Sequence, residues 1–209
     1  MSTSLLYHAF GVKGYRYVRT IYENGAVVFV IQQPREDYRC SHCGSDEVTS
    51  RGRNLRRFRG VPIGGKPVFL ELAVPRLHCW SCGHTRQAKL LFADAKKHYT
   101  RALARYVLEL SQWMTLQDVA LHLGLSWDTV KDIQKQHVSL RYARPKLKHL
   151  RQIAIDEISI GKGHRYVTVV LDLESGAVVF VGQGKSAQAL DPFWRRLRAS
   201  HARIAAVAT

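Results

Sequence analysis

Four cysteines are the residues of this chain whose spacing points most clearly to chemistry. They form two pairs, Cys40-Ser-His-Cys43 and Cys79-Trp-Ser-Cys82, and a glycine follows each pair. Two residues between cysteines let both thiolates face one ion within a tight turn, and two such pairs supply the four sulfurs of a tetrahedral zinc site. A redox site would need only one pair, and unrelated buried thiols would not fall into two glycine-backed pairs. The pattern therefore predicts one structural zinc ion per chain.

The two pairs lie far apart in the chain, with 35 residues between Cys43 and Cys79. This gap exceeds the usual spacing of zinc fingers, so the intervening strands must return the chain to the first pair. His42 and His84 lie nearby, but a complete set of thiolates predicts that they surround the site or are exposed.

Asp156 is the second residue placed for chemistry, in the middle of the strand-like segment 153–160. A carboxylate on a strand is costly unless it is paired or binds a cation, although an acid on an edge strand often simply faces solvent. A ribonuclease-H-like fold carries its first metal-binding aspartate on its first strand, and two further strands, a helix and a fourth strand follow. The same order is predicted here, with strands at 165–173 and 177–182, a helix at 187–200 and a strand at 202–209.

The segment 115–133 fits a helix-turn-helix, which needs a small residue where the helices cross, a glycine at the turn and apolar anchors on the second helix. Ala120, Gly124, and Val130 with Ile133 occupy these positions. Thr115 and Ser126 are expected to cap the two helices. An ordinary helical hairpin has similar spacing, but the charge of the chain favours DNA binding. The residues predicted to face DNA from the second helix and its cap are Ser126, Trp127, Asp128, Lys131 and Lys135, with Asp132 beside them.

The chain is strongly basic, because 32 Lys and Arg residues against 16 Asp and Glu residues give a formal net charge of +16. Such an excess indicates a polyanionic partner, and an RNA-binding protein would fit as well as a DNA-binding one. Two stretches, 48–70 and 133–155, contain no acidic residue. Each alone could be a solvated face, but together they flank the predicted DNA-reading helix and predict phosphate contacts. The residues chosen from them are Arg53, Arg56, Arg57, Arg144, Lys146 and Lys148.

A membrane location is not expected, because no apolar run approaches the roughly 20 residues of a spanning helix and the N-terminus lacks a signal-peptide pattern. Without an export signal, the cytoplasm is the expected compartment.

The remaining pattern predicts an α+β multidomain chain. A β-hairpin is expected over 15–31 with its turn at Glu23-Asn24-Gly25, followed by an Arg-rich loop and a strand over 68–77. The helical period begins near Tyr99 and ends near His137. The predicted domains are a zinc-binding β-rich domain (1–97), a helix-turn-helix domain (98–140), a basic linker (141–151) and an incomplete ribonuclease-H-like α/β domain (152–209).

These motifs together resemble the ISL3 family of insertion-sequence transposases. The most specific part runs from Ile-Asp-Glu at 155–157 through Gly163-His-Arg-Tyr-Val-Thr-Val-Val-Leu-Asp-Leu to Gly182-Gln-Gly-Lys-Ser. The resemblance implies cut-and-paste transposition by two aspartates and a glutamate with Mg²⁺, acting on double-stranded DNA at terminal inverted repeats, with a homodimer left open. It assigns Asp156 as the first catalytic aspartate and magnesium ligand, and the four cysteines as zinc ligands.

One departure from the family pattern concerns the second catalytic aspartate, which is expected after the fourth strand, where this sequence ends. Asp172 and Asp191 are not placed to replace it. We therefore expect an N-terminal portion of a transposase that is inactive alone. The alternative is a truncated zinc and helix-turn-helix protein that binds the element's ends and represses transposition, and a third hypothesis is an RNA-binding zinc protein without DNA specificity.

Overall fold

The computed structural model describes residues 5–209, so the first four residues of the predicted zinc-binding domain lie outside it. The described chain forms two compact units, Met1–Gln136 and His137–Thr209, and is mixed α and β. None of the described helices combines the length and the hydropathy that crossing a bilayer requires.

The first unit is built on one five-stranded sheet. The strand order is β1-β2-β4-β3, with β5 added on β4. All neighbouring strands are antiparallel except β2 and β4, which are parallel. The elements are α1 (Leu5–Phe10), β1 (Arg16–Glu23), β2 (Ala26–Gln32), a short 3-10 helix (Arg35–Asp37), β3 (Val48–Ile63), β4 (Lys66–Cys79) and β5 (Thr85–Gln87).

The predicted hairpin is confirmed as β1 and β2. Its two turn residues, Asn24 and Gly25, have φ values of 48° and 74°. A tight turn with two positive φ values matches the twist of the strands it joins, which is why Asn-Gly at this position predicts a hairpin.

The predicted Arg-rich loop is wrong, because this segment is the long strand β3, which pairs with β4 along most of its length. Long basic side chains occupy exposed positions of β3, while Phe58 and Gly60 are buried in the core. A Cβ atom at residue 60 would lie 3.3 Å from both Phe10 and Val68, so glycine permits this close packing. The core of the sheet is formed mainly by Phe10, Val27, Ile31, Phe58, Val68, Leu70, Leu72, Val74 and Phe92.

The first unit is completed by α2 (Arg101–Leu110), α3 (Leu116–Leu123) and the part of α4 (Trp127–Arg141) that precedes residue 137. Arg59 joins them to the sheet. Its backbone N–H donates to His98 at 2.8 Å, its carbonyl accepts from Thr100 at 2.9 Å, and its guanidinium donates to the Leu123 carbonyl at 2.7 Å. The sheet and the helices therefore share one compact unit rather than two separate ones.

The second unit contains a four-stranded sheet in the order β8-β7-β6-β9. Strands β6, β7 and β8 are antiparallel neighbours, whereas β9 runs parallel to β6. The predicted helix over 187–200 begins as a 3-10 helix, and the predicted last strand is shorter than expected. The elements are β6 (Gln152–Gly161), β7 (Arg165–Asp172), β8 (Val178–Gln183), a 3-10 helix (Ala187–Leu190), α5 (Asp191–Ser200) and β9 (Ala206–Ala208).

The core of the second unit includes two leucines from the segment predicted as a basic linker. Leu147 and Leu150 are buried with Ile153, Val170 and Phe193. Their apolar side chains, three residues apart, face this core while the basic residues between and around them are exposed. This part of the predicted linker is thus packed against the second unit.

Candidate functional site

The four cysteine sulfurs come together at one point, as the sequence predicted. All four Sγ atoms lie within 4.8 Å of one another. The Cys40 and Cys82 sulfurs are 3.7 Å apart, and those of Cys43 and Cys79 are 3.6 Å apart. These distances are far longer than the roughly 2.05 Å of a disulfide bond. A tetrahedral ion with Zn–S bonds of about 2.3 Å would separate its sulfurs by about 3.8 Å, so the residues present fit a structural zinc ion.

The hairpin of β3 and β4 closes the long gap between the two pairs. The first residue of β3, Val48, lies opposite the last residue of β4, Cys79. This pairing brings the second cysteine turn next to the first. The turns are built alike. In each, the N–H of the following glycine donates to the carbonyl of the first cysteine, at 3.0 Å for Gly44 and 2.9 Å for Gly83. Both glycines have positive φ, a conformation that favours glycine.

The pKa of the thiol differs from one cysteine of the site to the next. The backbone N–H groups of Cys43 and His42 point towards the Cys40 sulfur and lower the pKa of its thiol to about 6. The pKa of Cys82 is raised to about 12, since burial and the neighbouring thiols outweigh the lowering effect of the His84 backbone. A cation at this point would stabilise all four groups as thiolates.

The helices α3 and α4 form the predicted helix-turn-helix. The turn passes through Gly124, whose φ of 59° and ψ of 42° are left-handed. Both predicted caps are confirmed: Thr115 accepts from the Asp118 N–H and Ser126 from the Thr129 N–H, each at 3.2 Å. The helices pack through a buried cluster of Leu103, Val107, Val119, Ala120, Leu123, Val130 and Ile133.

The first turn of α4 presents a compact group of exposed side chains. The Lys131 ammonium lies 2.8 Å from the Asp128 carboxylate and 4.4 Å from the centre of the Trp127 ring. Lys135 lies one turn further on, exposed, and forms no ion pair with any described residue. Ser126 uses its hydroxyl as the helix cap and is bonded to Thr129, so its side chain is committed within the protein.

Asp156 lies on β6 opposite Val169 of β7, and its side chain is exposed. One carboxylate oxygen accepts from the Glu157 N–H at 2.7 Å. The side chains of Asp156 and Glu157 point to opposite faces because they are adjacent on a strand. Among the described residues, no cluster of three potential metal ligands includes Asp156. Asp172, the last residue of β7, accepts hydrogen bonds from the Ser175 hydroxyl and the Glu174 N–H, and Asp191 begins α5.

Three family models match consecutive parts of this chain. Residues 37–82 match the zinc-finger of transposases IS204/IS1001/IS1096/IS1165. Residues 88–138 match the helix-turn-helix domain of transposase family ISL3, and residues 153–209 match the transposase model of that family. The chain belongs to the ISL3 family of transposases. The cysteine site, the helix-turn-helix and the strand with Asp156 each fall within one of these matches.

Two bacterial transposases are similar to this chain. It is 33% identical over 170 residues to the transposase for insertion sequence element IS1001 of Bordetella parapertussis, a match that covers 81% of the chain and 42% of the relative. It is 33% identical over 183 residues to the transposase for insertion sequence element IS1557 of Mycobacterium tuberculosis, covering 86% of the chain and 41% of the relative. The chain thus spans about two fifths of the length of these relatives. No solved structure matches it.

The basic residues chosen from the first acid-free stretch are in different environments. Arg57 is bound to Glu71 at 2.7 Å and also to Glu23. Arg56 donates to the Lys97 carbonyl at 2.9 Å, and its guanidinium lies 4.7 Å from the centre of the Phe58 ring. Arg53 is exposed and has no ion pair among the described residues, so it is the most accessible of the three.

The three basic residues chosen from the second stretch, Arg144, Lys146 and Lys148, are all exposed. They lie between the end of α4 and the start of β6, and none forms an ion pair within the described part of the chain. Their availability to phosphate groups stays a prediction.

A polar bridge between the two cysteine turns was not predicted. The hydroxyls of Ser45 and Ser81 are 2.8 Å apart, Ser81 donates to the Glu47 carboxylate at 2.7 Å, and the Trp80 N–H donates to the Glu47 carbonyl at 3.0 Å. The bridge joins residues more than thirty positions apart, and no spacing pattern signals it. The histidines beside the cysteines are exposed, as expected, and their rings stack at 4.4 Å.

Proposed function

We propose that this ISL3-family chain binds double-stranded DNA at the terminal inverted repeats of an insertion sequence and takes part in its cut-and-paste transposition. The observation that carries the proposal is the order of the three matched segments, each of which contains the feature its role requires. Structural zinc holds the β-rich part, the helix-turn-helix reads DNA, and Asp156 serves the cleavage chemistry.

DNA reading is assigned to α4. A second helix of a helix-turn-helix enters the major groove with its N-terminal residues against the base edges. Trp127 and Asp128 are exposed in this turn, and Lys135 lies about two turns later, where it is expected to meet phosphate. Asp128 is paired with Lys131. The pair would therefore present one acceptor and one donor group side by side to the base edges. The overall charge of +16 supports a polyanionic partner.

The second unit is proposed to be ribonuclease-H-like. Three antiparallel strands followed by a fourth strand parallel to the first, in the order β8-β7-β6-β9, support this assignment. Asp156 would hold Mg²⁺ from the middle of β6, as one member of a set of carboxylate ligands. The ion supplies activation of the attacking group and stabilisation of the leaving oxygen in phosphodiester cleavage. Glu157 faces the opposite side of the strand and has no part in this ligand set.

The test is excision of the insertion sequence that encodes this chain, expressed from its own reading frame. Asp156→Asn keeps the size of the side chain but removes its charge, so we expect excision to be abolished while binding to the element's ends is retained. Glu157→Gln is the matched control and is expected to leave excision close to wild type. Excision by the Asp156→Asn variant at the wild-type rate would contradict the catalytic role.

A further inference from the structure

A cavity of about 710 Å³ lies beside the first cysteine turn. Its wall combines residues that precede β1, residues that follow β2, the first cysteine turn and the segment after β5. It shares no residue with α3 or α4, which are assigned to duplex reading. A cavity of this size is in the range that holds a nucleotide-sized ligand.

The charge of the cavity is positive. Lys13, Arg39 and Lys89 line it, against a single acidic residue, Asp37. The three cations are exposed, and none forms an ion pair among the described residues. Arg39 instead donates to the backbone carbonyls of Glu36 and Tyr38, which fixes its guanidinium beside the cavity. Such a rim favours an anionic group such as phosphate.

The wall also contains a polar atom that lacks a partner. Gln33 Oε1 is buried and has no hydrogen-bond partner within the described part of the chain. The Tyr15 hydroxyl is buried as well, and the backbone N–H of Leu91 is directed towards it. The amide nitrogen of Gln33 is already directed to the Asp37 carbonyl at 3.3 Å, which fixes the orientation of its oxygen. Unpaired buried groups of this kind are costly, and a ligand with its own N–H and acceptor atoms would offset that cost.

Aromatic packing holds Tyr15 in place. Its ring meets the buried ring of Phe92 edge to face at 5.2 Å. The cavity thus offers a fixed aromatic side chain, an amide oxygen and a cationic rim, the combination that binds an unstacked base with its phosphate.

We propose that this cavity binds one unpaired nucleotide of the DNA, with its base against Tyr15 and Gln33 and its phosphates at Lys13, Arg39 and Lys89. The inference rests on the proposed function, because DNA binding by this chain is what brings the nucleotide to the site. A base within an intact duplex is stacked and paired, so only an overhanging, bulged or flipped nucleotide can enter. The cavity would make the protein sensitive to the pairing state of its DNA, a property that duplex reading by α4 does not supply.

The test compares three DNA molecules that share one sequence, using the zinc-loaded full chain and fluorescence anisotropy. One is a fully paired duplex, one carries a single bulged nucleotide, and one ends in a three-nucleotide single-stranded overhang. We expect the bulged or the overhanging DNA to bind about tenfold more tightly than the paired duplex, the order of magnitude of one base stacking on an aromatic side chain.

Two variants assign that preference to the cavity. Gln33→Leu removes the unpartnered oxygen and Lys89→Ala removes an exposed rim cation, and each should reduce the preference to less than about threefold while paired-duplex binding persists. Lys162→Ala, an exposed cation in the second unit, is the charge-matched control and should keep the preference. Equal binding of all three DNA molecules by the wild type, or a full preference in both cavity variants, would overturn the inference.

Two further outcomes distinguish the cavity proposal from the proposed function and from binding of a free nucleotide. Absence of binding to every DNA molecule would contradict the proposed function itself, whereas tight duplex binding without a preference contradicts only the cavity. The last measurement is the affinity of the protein for a mixture of deoxynucleoside monophosphates. If free nucleotide binds the cavity as tightly as the DNA does, its source is a free nucleotide and the assignment to DNA is wrong.

Discussion

At the scale of single residues, the cysteines have the most definite role. Their four sulfurs lie at zinc-compatible spacing beside the end of the β3–β4 hairpin, and Cys40 and Cys79 are buried. The local environment lowers the pKa of the Cys40 thiol and raises that of Cys82. A zinc ion at this point would stabilise all four groups as thiolates.

Cys79→Ser should therefore abolish stoichiometric zinc binding and lower the thermal stability of the first unit. His42→Ala is the matched control: it removes a residue beside the site but leaves four thiolates, so one zinc per chain should remain. Elemental analysis of the wild type and the two variants, purified without added metal, measures the zinc bound per chain. Zinc-free wild-type protein, or full zinc content in Cys79→Ser, would show that the cysteines do not form the site.

The lysines of α4 allow a second prediction at this scale. Lys135 has no ion-pair partner in the described chain, so Lys135→Ala should weaken binding evenly across DNA sequences and reduce the slope of log K against log salt by about one. Lys131 is already paired with Asp128, and Lys131→Ala should change the slope less. Anisotropy titrations over a series of salt concentrations provide the slopes. If neither variant changes the affinity or the slope, α4 is not the DNA-binding helix.

At the scale of elements, local turn chemistry was readable from the sequence, whereas long-range pairing was not. Asn24-Gly25 predicted a hairpin because few residues tolerate two positive φ values, and Thr115 and Ser126 predicted helix starts because their hydroxyls cap free N–H groups. Strand β3 was missed because its arginines hide the alternation of buried and exposed positions. The segment is identified as a strand by its antiparallel pairing with β4, the next strand in the chain.

Gly124 permits a prediction about the turn between α3 and α4. Its φ of 59° is left-handed, so Gly124→Ala should destabilise the first unit by roughly 1–2 kcal/mol. Gly161→Ala is the control, because that glycine does not have a positive φ and has nothing within 4 Å of an added Cβ atom. Urea unfolding monitored by circular dichroism compares the two. A neutral Gly124→Ala would mean that the turn does not adopt this conformation.

At the scale of the whole molecule, motifs with a short spacing could be recognised in the sequence, whereas contacts between distant segments could not. The cysteine pairs and the helix-turn-helix could be recognised because each has a fixed local spacing, whereas the assignment of Asp156 depends on the order of the predicted elements and stays a prediction. The association of the zinc-binding sheet with the helices depends on Arg59 contacts with residues about forty to sixty positions away, which no local pattern predicts. The cavity beside the first cysteine turn is likewise assembled from four separate segments.

The isolation of Asp156 from other potential metal ligands predicts the behaviour of the purified 209-residue polypeptide. In-line cleavage with two cations needs several converging carboxylates, and the described residues place none beside Asp156 in a ligand cluster. This polypeptide should therefore bind DNA without nicking it in Mg²⁺ or Mn²⁺, and Asp156→Ala should not change its DNA affinity. Metal-dependent nicking that disappears in Asp156→Ala would show that its ligands lie elsewhere in this chain.

The central claim is that this ISL3-family chain recognises the ends of an insertion sequence. The most direct measurement is the affinity of the zinc-loaded protein for a duplex carrying the element's own terminal inverted repeat, against a shuffled duplex and an RNA duplex of equal length at about 0.15 M salt. Specific DNA-binding proteins favour their sites by roughly a thousandfold or more, and we predict a ratio of that order for the inverted repeat over the shuffled duplex. Equal affinity for the inverted repeat and the shuffled DNA, or tighter binding to RNA, would contradict the account.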